Sequence, residues 1–156
     1  MNTDLEVILE AAAKNVFSTM LSFNVEFQKL DGSFFDGGEH VAGTVGITGA
    51  FNGMVYLYSS APFARQMTCS LLGMKDSEIE GNEMVNDAMG ELTNMMAGFI
   101  KSKLDNAGCR CVMTIPSVIR GRDFKIEPVS GVIRKTIYFQ SSGGKVLVEA
   151  LLKATS

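Results

Sequence analysis

Apolar residues recur at helical spacing from the start of the chain. Leu5, Ile8, Leu9, Ala12 and Val16 share one face, as an amphipathic helix requires. Thr3-x-x-Glu6 ahead of them is a capping-box pattern, with Thr3 as the expected cap. The period then falls to two. Phe23-Asn24-Val25-Glu26-Phe27-Gln28 alternates as a strand does, and Val41 to Ile47 forms a second strand candidate loosened by Gly43 and Gly46. Asn52-Gly53 reads as a hairpin turn into Met54-Val55-Tyr56-Leu57-Tyr58. Ser60-Ala61-Pro62 suits the start of a second helix, with proline in its first turn. That helix runs to about Leu72 and stops at Gly73.

A long helix follows from about Gly81 to Ala107, ended by Gly108. Strand candidates come next at Cys111–Ile115 and Val132–Gln140, and Gly143-Gly144 turns the chain into Val146–Leu152. The order is a helix and three strands, given twice, although the halves share no residue-level match. The expected fold is α+β: two helix-plus-three-strand halves forming a mixed or antiparallel sheet, with the long helix packed on it. No Pro/Ser-rich linker divides the halves, so residues 1–156 are expected to form one domain.

Composition narrows the function. Apolar residues make up 46% and charged residues 20%, a globular balance. A net charge of -3 offers no basic surface for nucleic acid. The chain opens without a basic, apolar signal sequence, and no apolar run is long enough to cross a membrane. Three cysteines, Cys69, Cys109 and Cys111, cannot all pair within one chain. They point to reduced thiols and a cytoplasmic location. Cys109-Arg110-Cys111 has too few companions for a zinc site, so no metal is expected. His40 is the sole histidine and lies in a Gly-rich stretch. It reads as a loop or strand-edge residue rather than a catalytic one.

The long helix carries the informative pattern. With about 100° per residue counted from Glu83, residues including Val85, Ala88, Met89, Leu92, Met96 and Ile100 fall within roughly 100–260°. That sector is the expected buried face, and its methionines are core filler. Glu83 lies at about 0°, Asn94 at about 20°, Asp87 at about 40° and Glu91 at about 80°, on the opposite ridge. Gly90 precedes Asn94 by one turn and Gly98 follows it by one turn. A glycine inside a helix costs about 1 kcal/mol relative to alanine. Two of them, expected on the exposed side, would leave Glu91 and Asn94 on a flat surface that a second protein can approach. A solvated polar face is the plainer account of any one of these residues.

Asp87-x-x-x-Glu91-x-x-Asn94, then twenty-one residues, then Pro116, resembles the signature of the CheX/CheC phosphatases of bacterial chemotaxis. The helix-and-three-strand repetition fits their fold across nearly the whole chain. A single Glu-x-x-Asn is weak, since Glu83-x-x-Asn86 also occurs; the full spacing is far more specific. One copy of the spaced motif resembles CheX more than CheC, which typically carries two.

The resemblance implies a phosphatase acting on the aspartyl phosphate of a CheY-like response regulator. Asn94 would hold the attacking water in line, and Glu91 would pair with the regulator's active-site lysine. Asp87, Gly90 and Gly98 would lie against the partner, and Pro116 would fix the strand after the helix. The magnesium would belong to the regulator, with no cofactor held by this chain. A homodimer is also implied, and Val146–Leu152 is apolar enough on both faces to need cover. Arg120 and Arg122, near Pro116, read as a solvated loop. The chief rival is a non-enzymatic binding module related to the middle domain of flagellar switch proteins. A small-molecule hydrolase is disfavoured by the scarcity of histidine and the lack of a nucleophile motif.

Overall fold

The structure, a computed structural model, describes residues 4–155. Its elements in chain order are α1 (Leu5–Met20), β1 (Glu26–Gln28), β2 (His40–Gly49), β3 (Phe51–Ser60), α2 (Ala61–Leu72), a 3-10 turn at Asp76–Glu78, α3 (Glu83–Asn106), β4 (Cys111–Met113), β5 (Ser117–Gly121), β6 (Ile133–Ser141) and β7 (Gly144–Ala154). The strands form one sheet in the order β1-β6-β7-β3-β2-β4, with β5 also on β2. Every pairing is antiparallel.

The expected repetition is visible in this order. Each half supplies a helix, an outer strand and two longer strands. The outer strand of one half pairs with the other half: β1 lies on β6, and β4 with β5 lies on β2. The long strands β3 and β7 meet at the centre over nine residue pairs. α1 and α3 cover one face, burying Leu9, Phe17, Val45, Leu57, Met89, Leu92 and Met96 between helices and sheet.

Local chemistry explains the boundaries. Asp4, not Thr3, caps α1, its carboxylate accepting from the Glu6 amide at 3.0 Å; Thr3 lies outside the described residues. Ser60 caps α2 through the Phe63 amide, and Gly73 closes it at φ 65°, as the left-handed position after a helix favours. Ser142 and Gly143, both at positive φ, form the tight turn between β6 and β7.

Asn52-Gly53 is not the hairpin turn. The chain reverses around Ala50, and Gly53 lies inside β3 opposite Ile47 and Leu152. Asn52 nevertheless helps close the reversal, its side-chain oxygen accepting from the Gly49 amide. Gly53 answers a different need. A Cβ there would stand 1.7 Å from the Leu151 carbonyl oxygen, so the central β3–β7 pairing requires its absence.

The far face of the sheet also departs from expectation. β7 does show two apolar faces, but the chain covers both. Phe34 and Phe35 before β2, and Phe124 and Ile126 after β5, pack over Ala42, Tyr58 and Leu147. Val146–Leu152 therefore gives no argument for a dimer. Glu149 is 1% exposed beneath this layer. It is matched by Arg134, whose Nε and Nη2 both lie 2.8 Å from Oε2. Burial, with the Glu149 charge second, raises the Tyr58 hydroxyl pKa well above the ordinary tyrosine range.

Gly53→Ala should lower stability by about 2–3 kcal/mol, because backbone cannot yield as a flexible side chain can. In a chain of this size that is a fall of roughly 5–10 °C in Tm. Thermal melts followed by circular dichroism would show it, and an unchanged Tm would contradict the β3–β7 register.

Candidate functional site: the ridge of α3

α3 rests on β2 through a contact that only glycine permits. A Cβ at Gly43 would fall 1.9 Å from Thr93 Oγ1 and 2.9 Å from the Met89 carbonyl oxygen. The Thr93 hydroxyl donates to Met89 O at 2.7 Å, so it is satisfied inside this buried contact.

The outer strand then climbs the flank of the helix. Arg120 in β5 donates to Asn86 Oδ1 at 2.8 Å and pairs with Glu39 at 2.9 Å. Pro116 sits 3.7 Å from the Cβ position of Gly90. At the far end the Asp105 carboxylate accepts from the Cys111 amide at 3.1 Å. Hydrogen bonding from Lys101, then from Cys111, holds the Asp105 carboxyl below the usual carboxylate range. Arg120 is thus a fixed part of β5 and not a solvated loop residue. Arg122 is also tied down, donating to the Gly37 carbonyl at 2.6 Å.

These contacts rotate the buried face of α3 relative to the expected one. Gly90, Thr93 and Ala97 are buried, while Met84, Met95 and Phe99 are half-buried. The buried arc reaches from Ala88 round to Gly90, about 140–340° on the helical wheel. Gly90 therefore does not flatten an exposed surface: it makes room for Pro116 and Val118. Gly98 is different, with no atom within 4 Å of its Cβ position.

The remaining ridge carries the other expected residues together. Glu83, Asp87 and Glu91 are exposed and Asn94 is half-buried at its margin, next to the outer strand. Among the described residues, no side-chain hydrogen bond or ion pair engages Asp87, Glu91 or Asn94. Glu91 and Asn94 are three apart on one helix, so both side chains project from neighbouring points of one surface. A carboxylate accepts only, whereas an amide both donates and accepts in one plane. The pair can receive a cation and orient a water at once.

None of the clefts among the described residues that are large enough to describe takes in Asp87, Glu91, Asn94 or Gly98. The cleft of about 450 Å³ on the far face of the sheet is lined by Phe34, Phe35, Tyr58, Phe124, Arg134 and Glu149, among others, and by no residue of α3. His40 is buried, its Nδ1 2.9 Å from the Gly38 carbonyl, with Phe34 and Phe35 against its ring. It is the first residue of β2, buried against the aromatic side chains that cover the far face. Among the described residues no group of three or more His, Cys, Asp or Glu side chains could hold a metal ion, and no helix is long and apolar enough to cross a membrane.

Sequence reasoning missed β5 and the network of Arg120 with Asn86 and Glu39. The one available signal was Val118-x-Arg120, which alternates as a strand does but lies behind a proline.

Comparison with known proteins bears on the family and the fold. The CheY-P phosphatase CheX of Thermotoga maritima is 37% identical over 92 residues, 58% of this chain and 57% of that protein. The chain thus aligns with little more than half of that relative's length. A crystal structure of the chemotaxis protein CheX from Vibrio vulnificus superposes with a TM-score of 0.82 at 26% identity, covering 98% of this chain and 99% of that one. CheX of Borrelia burgdorferi, seen in a complex with CheY, BeF3 and Mg2+, superposes with a TM-score of 0.74 at 22% identity, covering 96% and 98%. The family described as chemotaxis phosphatase CheX matches residues 41–140, from the start of β2 through the α3 ridge and Pro116 into β6. The chain belongs to the CheX family.

Proposed function

We propose that this protein hydrolyses the aspartyl phosphate of a CheY-like receiver domain, and that residues 1–156 act as one phosphatase domain. The observation that carries the reading is the Glu91/Asn94 pair. Among the described residues neither side chain has a hydrogen-bond or ion-pair partner, and both stand on the outer side of a helix of a CheX-family fold. A ridge cannot bury a small substrate, which needs a cleft, but it can enter a cleft of another protein.

Asn94 orients a water for attack on phosphorus, opposite the aspartyl oxygen. The P–O bond to the aspartyl group breaks, and free carboxylate and inorganic phosphate are the products. An acyl phosphate is already reactive, so positioning can supply most of the acceleration, as water-orienting glutamines do in GTPases. Glu91 pairs with a lysine of the receiver, and Asp87 and Gly98 lie at the same contact. The metal in this reading is the receiver's magnesium; the Borrelia complex, which contains CheX, CheY, BeF3 and Mg2+ together, supports it. This chain needs no cofactor of its own and works in the cytoplasm as a homodimer. Sedimentation of the purified protein checks the last point. The rival reading, a binding module without catalysis, leaves the presence of both Glu91 and Asn94 unexplained.

Asn94→Ala should abolish most phosphate release from a phosphorylated receiver while leaving Tm nearly unchanged. Full activity in this variant would defeat the mechanism. Glu91→Lys should weaken receiver binding, and more strongly at low salt, where like charges repel over a longer range. Titration at two ionic strengths would reveal a salt-independent, wild-type affinity if Glu91 lay outside the contact.

Gly98 separates folding from docking. Gly98→Ala should be neutral or stabilising by up to about 1 kcal/mol and keep most activity. Gly98→Leu should fold as well, since its Cβ position is open. Its side chain would nonetheless hold the receiver away, and about 1 Å of displacement can cost roughly a hundredfold in rate. A stable Gly98→Leu protein with wild-type turnover would remove this site from the interface.

A further inference from the structure

β4 and β5 are one outer strand interrupted by a bulge. Ile47 pairs with Met113 and Thr44 with Ser117. Between these pairs β2 has two residues, Val45 and Gly46, and the outer strand has three, Thr114, Ile115 and Pro116. One residue is extra, and the facing of the strand changes accordingly. Cys111 and Met113 pack with the helix-side core before the bulge, and Val118 does so after it. An unbroken alternation would have turned Val118 outward. Thr114 stabilises the irregular point. Its amide donates to Gly46 O at 3.0 Å, and the Gly46 amide donates to Thr114 Oγ1 at 2.8 Å. Pro116 has no amide hydrogen to pair.

Ile115 is the residue this arrangement leaves outside, and it is 85% exposed. Its level along α3 follows from the contacts on either side. The outer strand runs antiparallel to the helix, with Arg120 at Asn86, Pro116 at Gly90 and Cys111 at Asp105. One strand residue advances about 3.3 Å, or roughly two helical residues at about 1.5 Å each. Counted from Pro116 at Gly90 this puts Ile115 level with about Leu92, and counted from Cys111 at Asp105 with about Ala97, so it lies along the stretch of α3 that holds Asn94.

An isoleucine held in solvent contributes nothing to the core, and the bulge that holds it stands beside the ridge. We propose that Ile115 is an apolar anchor for the phosphorylated receiver, seated against receiver surface next to the cleft that Asn94 enters. The proposal rests on the phosphatase reading and extends its contact surface from α3 to the outer strand. An exposed apolar side chain bordered by the polar groups of Asn94 and Thr114 has the make-up of an apolar interface centre with a polar rim. It would set affinity and register, while turnover stays with Asn94.

The test is steady-state phosphate release by Ile115→Ser with a phosphorylated receiver domain as substrate. It is paired with titration of the beryllofluoride-activated receiver, Tm and sedimentation. We expect KM and Kd to rise about tenfold, turnover at saturating receiver to stay within about twofold of wild type, and Tm to be unchanged. Ile115→Val should restore most of the affinity. Wild-type KM and Kd in Ile115→Ser overturn the proposal. So does a shift in sedimentation that accounts for the loss, which would assign Ile115 to contact between copies of this chain. So does a fall in Tm of more than a few degrees, which would make the residue structural. If the wild-type protein binds the receiver without hydrolysing its phosphate, the phosphatase reading fails while the binding titration still decides Ile115. If it binds no receiver, both fail.

Discussion

The contact between α3 and β2 decides where everything else can be. It exists because Gly43 has no side chain and Thr93 takes its place, with Thr93 Oγ1 only 1.9 Å from where a Cβ would be. The hydroxyl spends its donor on the Met89 carbonyl, so this donor is not left unpaired in a fully buried contact. Thr93 immediately precedes Asn94, and Met89 lies two residues before Glu91. The height of the polar ridge above the sheet is therefore set directly beneath it. A larger residue at position 43 would press against helix backbone as well as a side chain.

The lateral position of the helix comes from the outer strand. Gly90, Thr93 and Ala97 form a band of small residues along which that strand approaches, pinned by Asn86–Arg120 at one end and Asp105–Cys111 at the other. The bulge at Thr114–Pro116 lets one strand satisfy two demands. Before it, Cys111 faces the end of α3; after it, Val118 faces the start. A straight strand could not have met both with apolar side chains. Pro116 is thus coupled to Gly90 by packing, and the distance in sequence between Asn94 and Pro116 reflects how far the chain travels to return to the same flank.

What was legible in the sequence depended on local forces. Helix periodicity is carried by the segment itself, so α3 and the grouping of Asp87, Glu91 and Asn94 on one ridge could be read from spacing. The Ser60 cap and the Gly73 and Gly108 stops are equally local. The sector of α3 facing the outer strand was not legible, because its burial depends on residues some twenty-five positions further on. Glycine was the main source of error, since it serves two unrelated purposes. Gly143 supplies a positive φ; Gly53 and Gly90 make room for another part of the chain, and sequence alone does not distinguish the two. β5 was hidden by the proline before it, which a regular strand would exclude but a bulge at an outer edge accommodates.

The chemistry proposed for the ridge suits its exposed position. A general base needs a tuned pKa, which usually demands burial or a nearby charge. An amide does not titrate in the physiological range, so Asn94 can work from the half-buried margin of the ridge without a tuned environment. What it does need is a fixed position, and a site on a regular helix is held more closely than one on a loop. The twenty-four residues of α3, seated on Gly43 and flanked by Pro116, supply that without enclosing anything. On the proposed reading, enclosure would come from the receiver, into whose cleft Asn94 would reach. On this reading the chain contributes geometry and no titrating catalytic group. Asn94 itself should then add no pH dependence to turnover.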